Sequence, residues 1–163
     1  MVHHLLNSVK IVAVPCVNTG SAYQVASATD GGAVVSEEID TLGYESVVLL
    51  YKIGTGTAAA VIDFKALQCD TAGGSYADLL GTAQLVTDIA GSMLNKFISC
   101  EIHRPKERFL RVGYQRTTQN SAIDGIWAIL SRPIGNTPVT QQTTIGGFAN
   151  APELFVSPAE GTA

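Results

Sequence analysis

The stretch AVIDFKALQC, from Ala60 to Cys69, decides the fold class because its apolar and polar residues alternate one by one. Ile62, Phe64 and Ala66 fall on one face of an extended chain, and Asp63 and Lys65 fall on the other. A period of two is typical of a β-strand with one face against a core. The stretch therefore predicts a strand of a packed sheet.

Short apolar or alternating runs recur on both sides of this stretch, and helical periodicity is nearly missing. Gly54-Thr-Gly56 predicts a tight turn that joins Ser46–Ile53 to Ala60–Cys69 as a hairpin. Thr117–Ser121 is polar and is predicted to be a loop, and Tyr76–Leu80 is predicted to be a single helical or extended turn. Further strands are predicted at Val9–Val17, Tyr23–Ala28, Ala33–Ile39, Leu85–Ile89, Phe97–Ile102, Arg108–Tyr114 and Ile123–Leu130. This pattern predicts an all-β protein, an antiparallel sandwich or barrel.

The character of the chain changes after Pro133. Residues 134–163 contain three prolines and a polar run from Thr140 to Thr144, so regular elements are not expected there. Apolar residues are nevertheless present, which a disordered tail usually lacks. We therefore predict a β-sandwich domain over 1–133 and an extended C-terminal arm over 134–163, which docks on a neighbour or folds back over its own domain. The predicted anchors of the arm are Ile145, Phe148, Leu154, Phe155 and Val156.

Composition narrows the function classes. Of the 163 residues 46% are apolar and only 15% are charged, below the usual share of about a quarter, as expected of a protein packed against neighbours. The net charge of −4 gives no global attraction for nucleic acid. One basic stretch contains Arg104, Lys106, Arg108 and Arg111. It is either a solvated strand face or a contact patch for an acidic partner surface.

No stretch reaches the roughly eighteen apolar residues of a membrane-spanning helix, so no membrane association is predicted. The apolar run near the N-terminus is interpreted as a strand rather than a signal peptide, which predicts a protein made in the cytoplasm. Cys16, Cys69 and Cys100 lie far apart and are predicted to be buried free thiols, and the alternative is one disulfide with one free thiol.

The sequence nominates no catalytic site. Gly73-Gly74-Ser75 does not have the spacing of a nucleophile elbow, and Gly54-Thr-Gly56 lacks the third glycine of a dinucleotide site. We predict that the chain is not an enzyme and has no cofactor and no functional metal site. Trp127, flanked by Ile126 and Ile129, is predicted to pack in the core.

Several motifs together resemble a known family. They are Leu42–Leu50 (LGYESVVLL), Gly54-Thr-Gly56, Asp63–Gln68, Gly74–Gly81 (GSYADLLG), Arg108–Tyr114 and Ala128–Pro133. Between Thr41 and Pro133 the chain is similar to the decoration (cement) proteins that coat the heads of tailed bacteriophages. Gln68–Ser75 departs from the more acidic loop of that family.

The resemblance implies a jelly-roll-like sandwich and a structural role in the virion. It implies a homotrimer that binds the major capsid protein on the outside of the head, between capsomers, and stabilises the shell. Extended terminal segments often make such contacts, and an extended segment can pair with a sheet edge and place apolar side chains in pockets. The alternative from a different class is a β-sandwich module of a phage particle that binds a glycan or a receptor.

Overall fold

The computed structural model describes residues 8–14, 34–118, 121–135, 139, 144–145 and 148–149. The predicted run Tyr23–Ala28 lies outside these residues. The described residues form strands β1 (Val9–Ala13), β2 (Val34–Val35), β3 (Ile39–Asp40), β4 (Tyr44–Gly56), β5 (Val61–Cys69), β6 (Ala77–Asp78), β7 (Gln84–Val86), β8 (Phe97–His103), β9 (Phe109–Thr118), β10 (Ser121–Pro133), β11 (Thr144–Ile145) and β12 (Phe148–Ala149).

Two antiparallel sheets make the sandwich, which confirms the predicted fold class. The first sheet has the strand order β1-β10-β4-β8. The second is built on the pair β9-β5, with β2 and β3 along the outer edge of β9 and β6 and β7 along the outer edge of β5. Outside the sandwich, β11 pairs with β12.

The order of strands in the two sheets is that of a jelly roll. If β2 with β3, and β6 with β7, are each taken as one interrupted strand, each sheet contains four strands. The first strand then pairs with the last, the second with the second last, and so on inward to the pair of β5 with β6 and β7. The chain is therefore one long hairpin that is folded over into two layers.

Alternation along the strands places the core between these layers. Ile62, Phe64 and Ala66 of β5 are fully buried, as the sequence predicts, and Leu110, Val112 and Tyr114 of β9 are buried beside them. The first sheet contributes the inward side chains of β4 and β10. Tyr51 of β4 stacks on Phe64 across the gap between the sheets, with ring centroids 4.6 Å apart, and Tyr114 lies 6.2 Å beyond Phe64. The contact between Tyr51 and Phe64 therefore joins the two sheets.

The predicted hairpin of β4 with β5 is wrong. β4 pairs with β10 and β8 in the first sheet, whereas β5 pairs with β9 in the second. The turn lies at Thr57–Ala60, where the Ala60 N–H donates to the Thr57 carbonyl, and it carries the chain from one sheet to the other. Gly54 lies within β4, where a Cβ atom would collide with the Asp124 carboxylate, so this glycine provides space rather than a turn.

Three further expectations are corrected or refined. The predicted loop Thr117–Ser121 is shorter, because β9 continues to Thr118 and β10 begins at Ser121. Trp127 is only half-buried and lies on the outside of the first sheet, because it is out of phase with the inward residues Ile126 and Ala128. Cys69 and Cys100 are free thiols, as predicted, whereas Cys16 lies outside the described residues.

We expect Phe64→Ala to lower the free energy of unfolding by about 3–5 kcal/mol, because it empties a fully buried site and removes two ring contacts. Leu80→Ala is the matched control, since the Leu80 side chain is 100% exposed and its removal should change stability by less than about 0.5 kcal/mol. Urea unfolding followed by circular dichroism measures both variants. Equal losses of stability would contradict the position of Phe64 at the centre of the core.

Candidate functional site

The outer face of the first sheet is a regular array of side chains that point away from the core. Strand register places Ile11, Ile129 and Val48 in one row across β1, β10 and β4. The next row contains Ala13, Trp127 and Leu50. We call these six residues, together with Phe97 at the end of β8, the apolar face.

The apolar face is partly open to solvent. Ile11 is 39% exposed and Phe97 is 58% exposed, and the other members are half-buried. The Trp127 ring lies over Gly125, where an added Cβ atom would approach the ring to 2.7 Å, and its centroid is 6.1 Å from that of Phe97. Glycine at position 125 therefore lets the indole lie flat on the sheet and extends the apolar surface.

Polar side chains border the apolar face on the side of β8. Along β8, the outward residues after Phe97 are Ser99, Glu101 and His103, and Ser46 Oγ donates to Glu101 Oε1 at 2.7 Å. Lys52 forms an ion pair with Asp124 beside Phe97. An apolar centre within a polar rim is the usual layout of a protein interface, and exposed apolar surface of this kind marks interaction sites.

The outer face of the second sheet carries three ion pairs beside half-buried apolar residues such as Leu67 and Phe109, and we call it the charged face. Arg108 donates two hydrogen bonds to the Asp40 carboxylate, at 2.8 and 2.7 Å, and Lys65 forms an ion pair with Asp78 at 2.8 Å. Arg111 contacts Glu38 at 2.9 Å. The two outer faces of the sandwich thus differ in chemistry, one apolar and the other charged.

Glu38 is the centre of a cluster that joins three separate segments. Its Oε1 atom accepts hydrogen bonds from the Gly73 N–H at 2.5 Å, the Tyr76 hydroxyl at 2.9 Å and Arg111 Nη2 at 2.9 Å. The Arg111 guanidinium also lies 4.4 Å from the centre of the Tyr76 ring, in cation–π geometry. The cluster attaches the loop after β5 to β9 and to the connection between β2 and β3.

These contacts shift the acid–base equilibria of the charged face. The Gly73 N–H, followed by the Tyr76 hydroxyl and Arg111, holds the pKa of Glu38 below its ordinary value. The hydrogen bonds from Arg108 lower the pKa of Asp40. Burial, with the hydrogen bond to Glu38, raises the pKa of Tyr76 to about 12. Each shift favours the protonation state that the ion pairs and hydrogen bonds require.

The structure divides the predicted basic patch. Arg104 and Lys106 are exposed on the turn between β8 and β9. Arg108 and Arg111 project from the start of β9 and its preceding residue, where Asp40 and Glu38 offset their charge. Of these four predicted patch residues, only Arg104 and Lys106 on the turn lack an ion pair within the described residues.

Two of the predicted arm anchors lie in described strands. Ile145 of β11 lies opposite Phe148 of β12. The other three predicted anchors, Leu154, Phe155 and Val156, lie outside the described residues, and the docking of the arm remains a prediction.

Within the described ranges, no three His, Cys, Asp or Glu side chains lie close enough together to hold a metal ion. Those ranges also contain no helix with the length and hydropathy that crossing a membrane requires. No protein-family model matches the sequence, and no curated protein is significantly similar to it. The fold and face define the chain as a jelly-roll β-sandwich with one apolar outer surface.

The apolar face was missed at the level of sequence, although a signal for it exists. Val47–Tyr51 and Ile126–Leu130 are apolar at every position rather than at alternate positions. A strand of that kind has apolar side chains on both faces, which is typical of strands covered on both sides. Both runs predict an outer surface that another molecule or segment covers.

Acid should destabilise the protein through the charged face. Since the pKa values of Glu38 and Asp40 are lowered by folding, the unfolded chain binds more protons, and stability falls as the pH drops below their ordinary values of 4.5 and 3.8. We expect Glu38→Gln and Asp40→Asn to weaken this dependence on pH. Thermal unfolding between pH 6 and pH 3, a range of about three units around the reference carboxyl pKa values, measures it. Curves parallel to that of the wild type would contradict this role.

Proposed function

We propose that the chain is a structural virion protein that decorates the outside of a bacteriophage head. In this role it is a homotrimer at the capsid surface, made in the cytoplasm of the bacterial host. It binds the major capsid protein between capsomers and stabilises the shell. The observation that carries the proposal is the contrast between the apolar outer face of the first sheet and the charged outer face of the second.

A sandwich with one apolar and one charged outer face suits a protein that is covered on one side and wet on the other. Burial of apolar surface contributes roughly 25 cal/mol per Å², so covering Ile11, Trp127 and Phe97 favours association. The charged face is suited to remain in water, because the exposed ion pairs there lose little by staying hydrated. The resemblance between Thr41 and Pro133 points to the same role.

Repetition on a lattice makes modest single contacts sufficient. A trimer that binds with several arms or faces at once converts the later contacts into intramolecular ones, and its avidity exceeds the affinity of any one of them. The proposal therefore requires no deep pocket and no catalytic group, and it assigns no cofactor to the chain.

A second candidate function is the binding of a glycan or receptor by the same particle component. The tilted pair of Phe97 and Trp127 on an outer surface is the observation that favours it, because exposed aromatic faces are platforms for sugars. Binding of the purified chain to a glycan array, lost in Trp127→Ala, would support this candidate over decoration.

The first experiment measures the mass of the purified chain by light scattering after size-exclusion chromatography. We expect about three times the monomer mass of 17.1 kDa. A monomer would contradict a trimer that is stable in solution and would turn attention to glycan binding.

Ile11→Asp tests whether the apolar face makes the contact. Placing a carboxylate on a face that becomes buried should weaken binding to shells of the partner capsid protein about tenfold or more. Leu80→Asp is the matched control, because Leu80 is fully exposed on the loop after β6, outside the apolar face. Co-sedimentation of each variant with shells measures occupancy. Equal occupancy for the two variants would exclude the apolar face as the contact surface.

Removal of residues 134–163 tests the arm separately. We expect the truncated chain to keep the circular dichroism spectrum of the sandwich and to occupy fewer sites on the shell, since the arm anchors are lost. Full occupancy by a folded truncated chain would show that the sandwich alone makes the contacts.

A further inference from the structure

The edge strand β8 exposes a row of backbone hydrogen-bonding groups. The Ile53 N–H donates to the Lys96 carbonyl at 2.9 Å, and the Arg104 N–H donates to the Glu45 carbonyl at 2.6 Å. Because bonding directions alternate along an antiparallel strand, the even-numbered residues of β8 face β4. The N–H and C=O groups of Phe97, Ser99, Glu101 and His103 therefore point away from the sheet.

The β8 edge lacks several of the features that usually protect an edge strand, although Glu101 does place one charged side chain on it. Proteins protect edges with very short strands, proline, lysine or bulges. β8 has seven residues (FISCEIH), and its register with β4 is continuous. By contrast, β2, β3, β6 and β7 at the edges of the second sheet contain two or three residues each. The β8 edge is thus built to accept a further strand.

A groove lies beside the first half of this edge. Its volume is about 500 Å³, and Val86, Met93 and Ile98 supply apolar lining between the two sheets. Gln84, also in the lining, donates from Nε2 to the outward carbonyl of Ser99 at 3.1 Å. Its Oε1 atom is buried and accepts no hydrogen bond in the described structure.

The lining of the groove is mixed, because Leu85, which is 66% exposed, lies beside the polar residues Thr87, Asp88 and Ser92. Leu94 and Phe97, outside this lining, are also exposed. An added strand directs alternate side chains to opposite faces of the sheet. One set would enter the space between the sheets and the other would extend the apolar face.

We propose that the β8 edge receives the C-terminal segment Glu153–Ser157 (ELFVS) of this chain as an added antiparallel strand. The segment lies between Pro152 and Pro158, which lack the N–H group that a ladder needs, so the prolines delimit a strand-length piece. Leu154 and Val156 alternate with Phe155. The inference rests on the arm of the proposed function and names the surface that receives it.

The path of the chain fits an antiparallel approach. The Ile134 N–H donates to the Gly43 carbonyl, and Pro133 lies opposite Tyr44, so the arm begins at the end of the sheet where β8 finishes. Because β11 pairs with β12 within the interval from Ile134 to Glu153, only the parts before and after this pair can be extended, and together they span about 45 Å. The β8 edge is about 10 Å from β10. The arm is long enough to reach its own edge or that of a neighbouring copy.

The charge of the segment and the alternation of its side chains fit an antiparallel strand that begins beside His103. A segment that enters at the His103 end brings Glu153 beside the exposed cations Arg104 and Lys106. With Glu153 opposite His103, Leu154 and Val156 face the space between the sheets, and Phe155 lies on the outer face. In this arrangement the basic turn at Arg104 contacts an acidic side chain.

The test places a photo-crosslinking phenylalanine analogue at position 155 of the full-length chain and contains no shell. We expect crosslinks to Phe97–His103. Ser99→Pro removes an outward N–H without breaking the pairing with β4, so we expect a roughly tenfold lower yield. Ser99→Ala keeps that N–H and should crosslink as the wild type does. Crosslinks confined to other strands, or an unchanged yield in Ser99→Pro, would overturn the proposal.

Hydrogen exchange gives a second readout that needs no edge variant. The amides of Ser99, Glu101 and His103 should exchange at least about tenfold more slowly in the wild type than in a Leu154→Asp, Val156→Asp variant, because a paired N–H is protected. Equal rates would refute strand addition. Mixing isotopically light and heavy chains shows whether an arm binds the β8 edge of its own chain or that of another copy. Either arrangement supports the β8 edge as the acceptor. Because these experiments contain no capsid shell, their result does not depend on whether the protein decorates a capsid.

Discussion

The pairing of β4 with β10 is the contact on which both sides of the first sheet depend. The two strands are the longest in the described structure, and they lie together at the centre of the sheet. Their inward side chains, with Tyr51 foremost, meet the second sheet and form the core. Their outward side chains form the apolar face. A shift of one residue in this register would exchange the two sets and expose the core residues to water.

The second sheet balances this arrangement with charge. Its inward face contributes Phe64 and Tyr114 to the same core, while its outward face carries pairs of opposite charge that keep it compatible with water. The Glu38 cluster also secures the loop after β5, which would otherwise be attached only at its ends. The two layers thus share one interior and present opposite chemistry to their surroundings.

Sequence patterns predict strands and their inward residues best where one face of a strand is buried and the other is solvated. The alternation of β5 and β9 predicted the strands, their inward residues and the fold class. The same patterns do not identify which strand pairs with which. Gly54-Thr-Gly56 predicts a hairpin, but a local glycine signal does not show whether the next strand remains in the same sheet. The apolar residues on either side of Trp127 predict burial, but they do not show its phase along the strand, which places it on the outer face. The runs Val47–Tyr51 and Ile126–Leu130 indicate an apolar outer surface, but which residues share a row depends on the register across three strands, which no local pattern supplies.

The pairing of the first strand with the last also determines when the fold can form. Val9 lies opposite Ser131, so the outermost ladder closes only after nearly the whole sandwich sequence is available. Contacts that span so much of the chain are slow to form, because loop-closure entropy must be overcome before they contribute. During synthesis on the ribosome, the apolar strand β4 emerges long before its central partner β10. Until then the apolar side chains of β4 lack this partner and are exposed to chaperones, and the sandwich closes only once β10 has been synthesised.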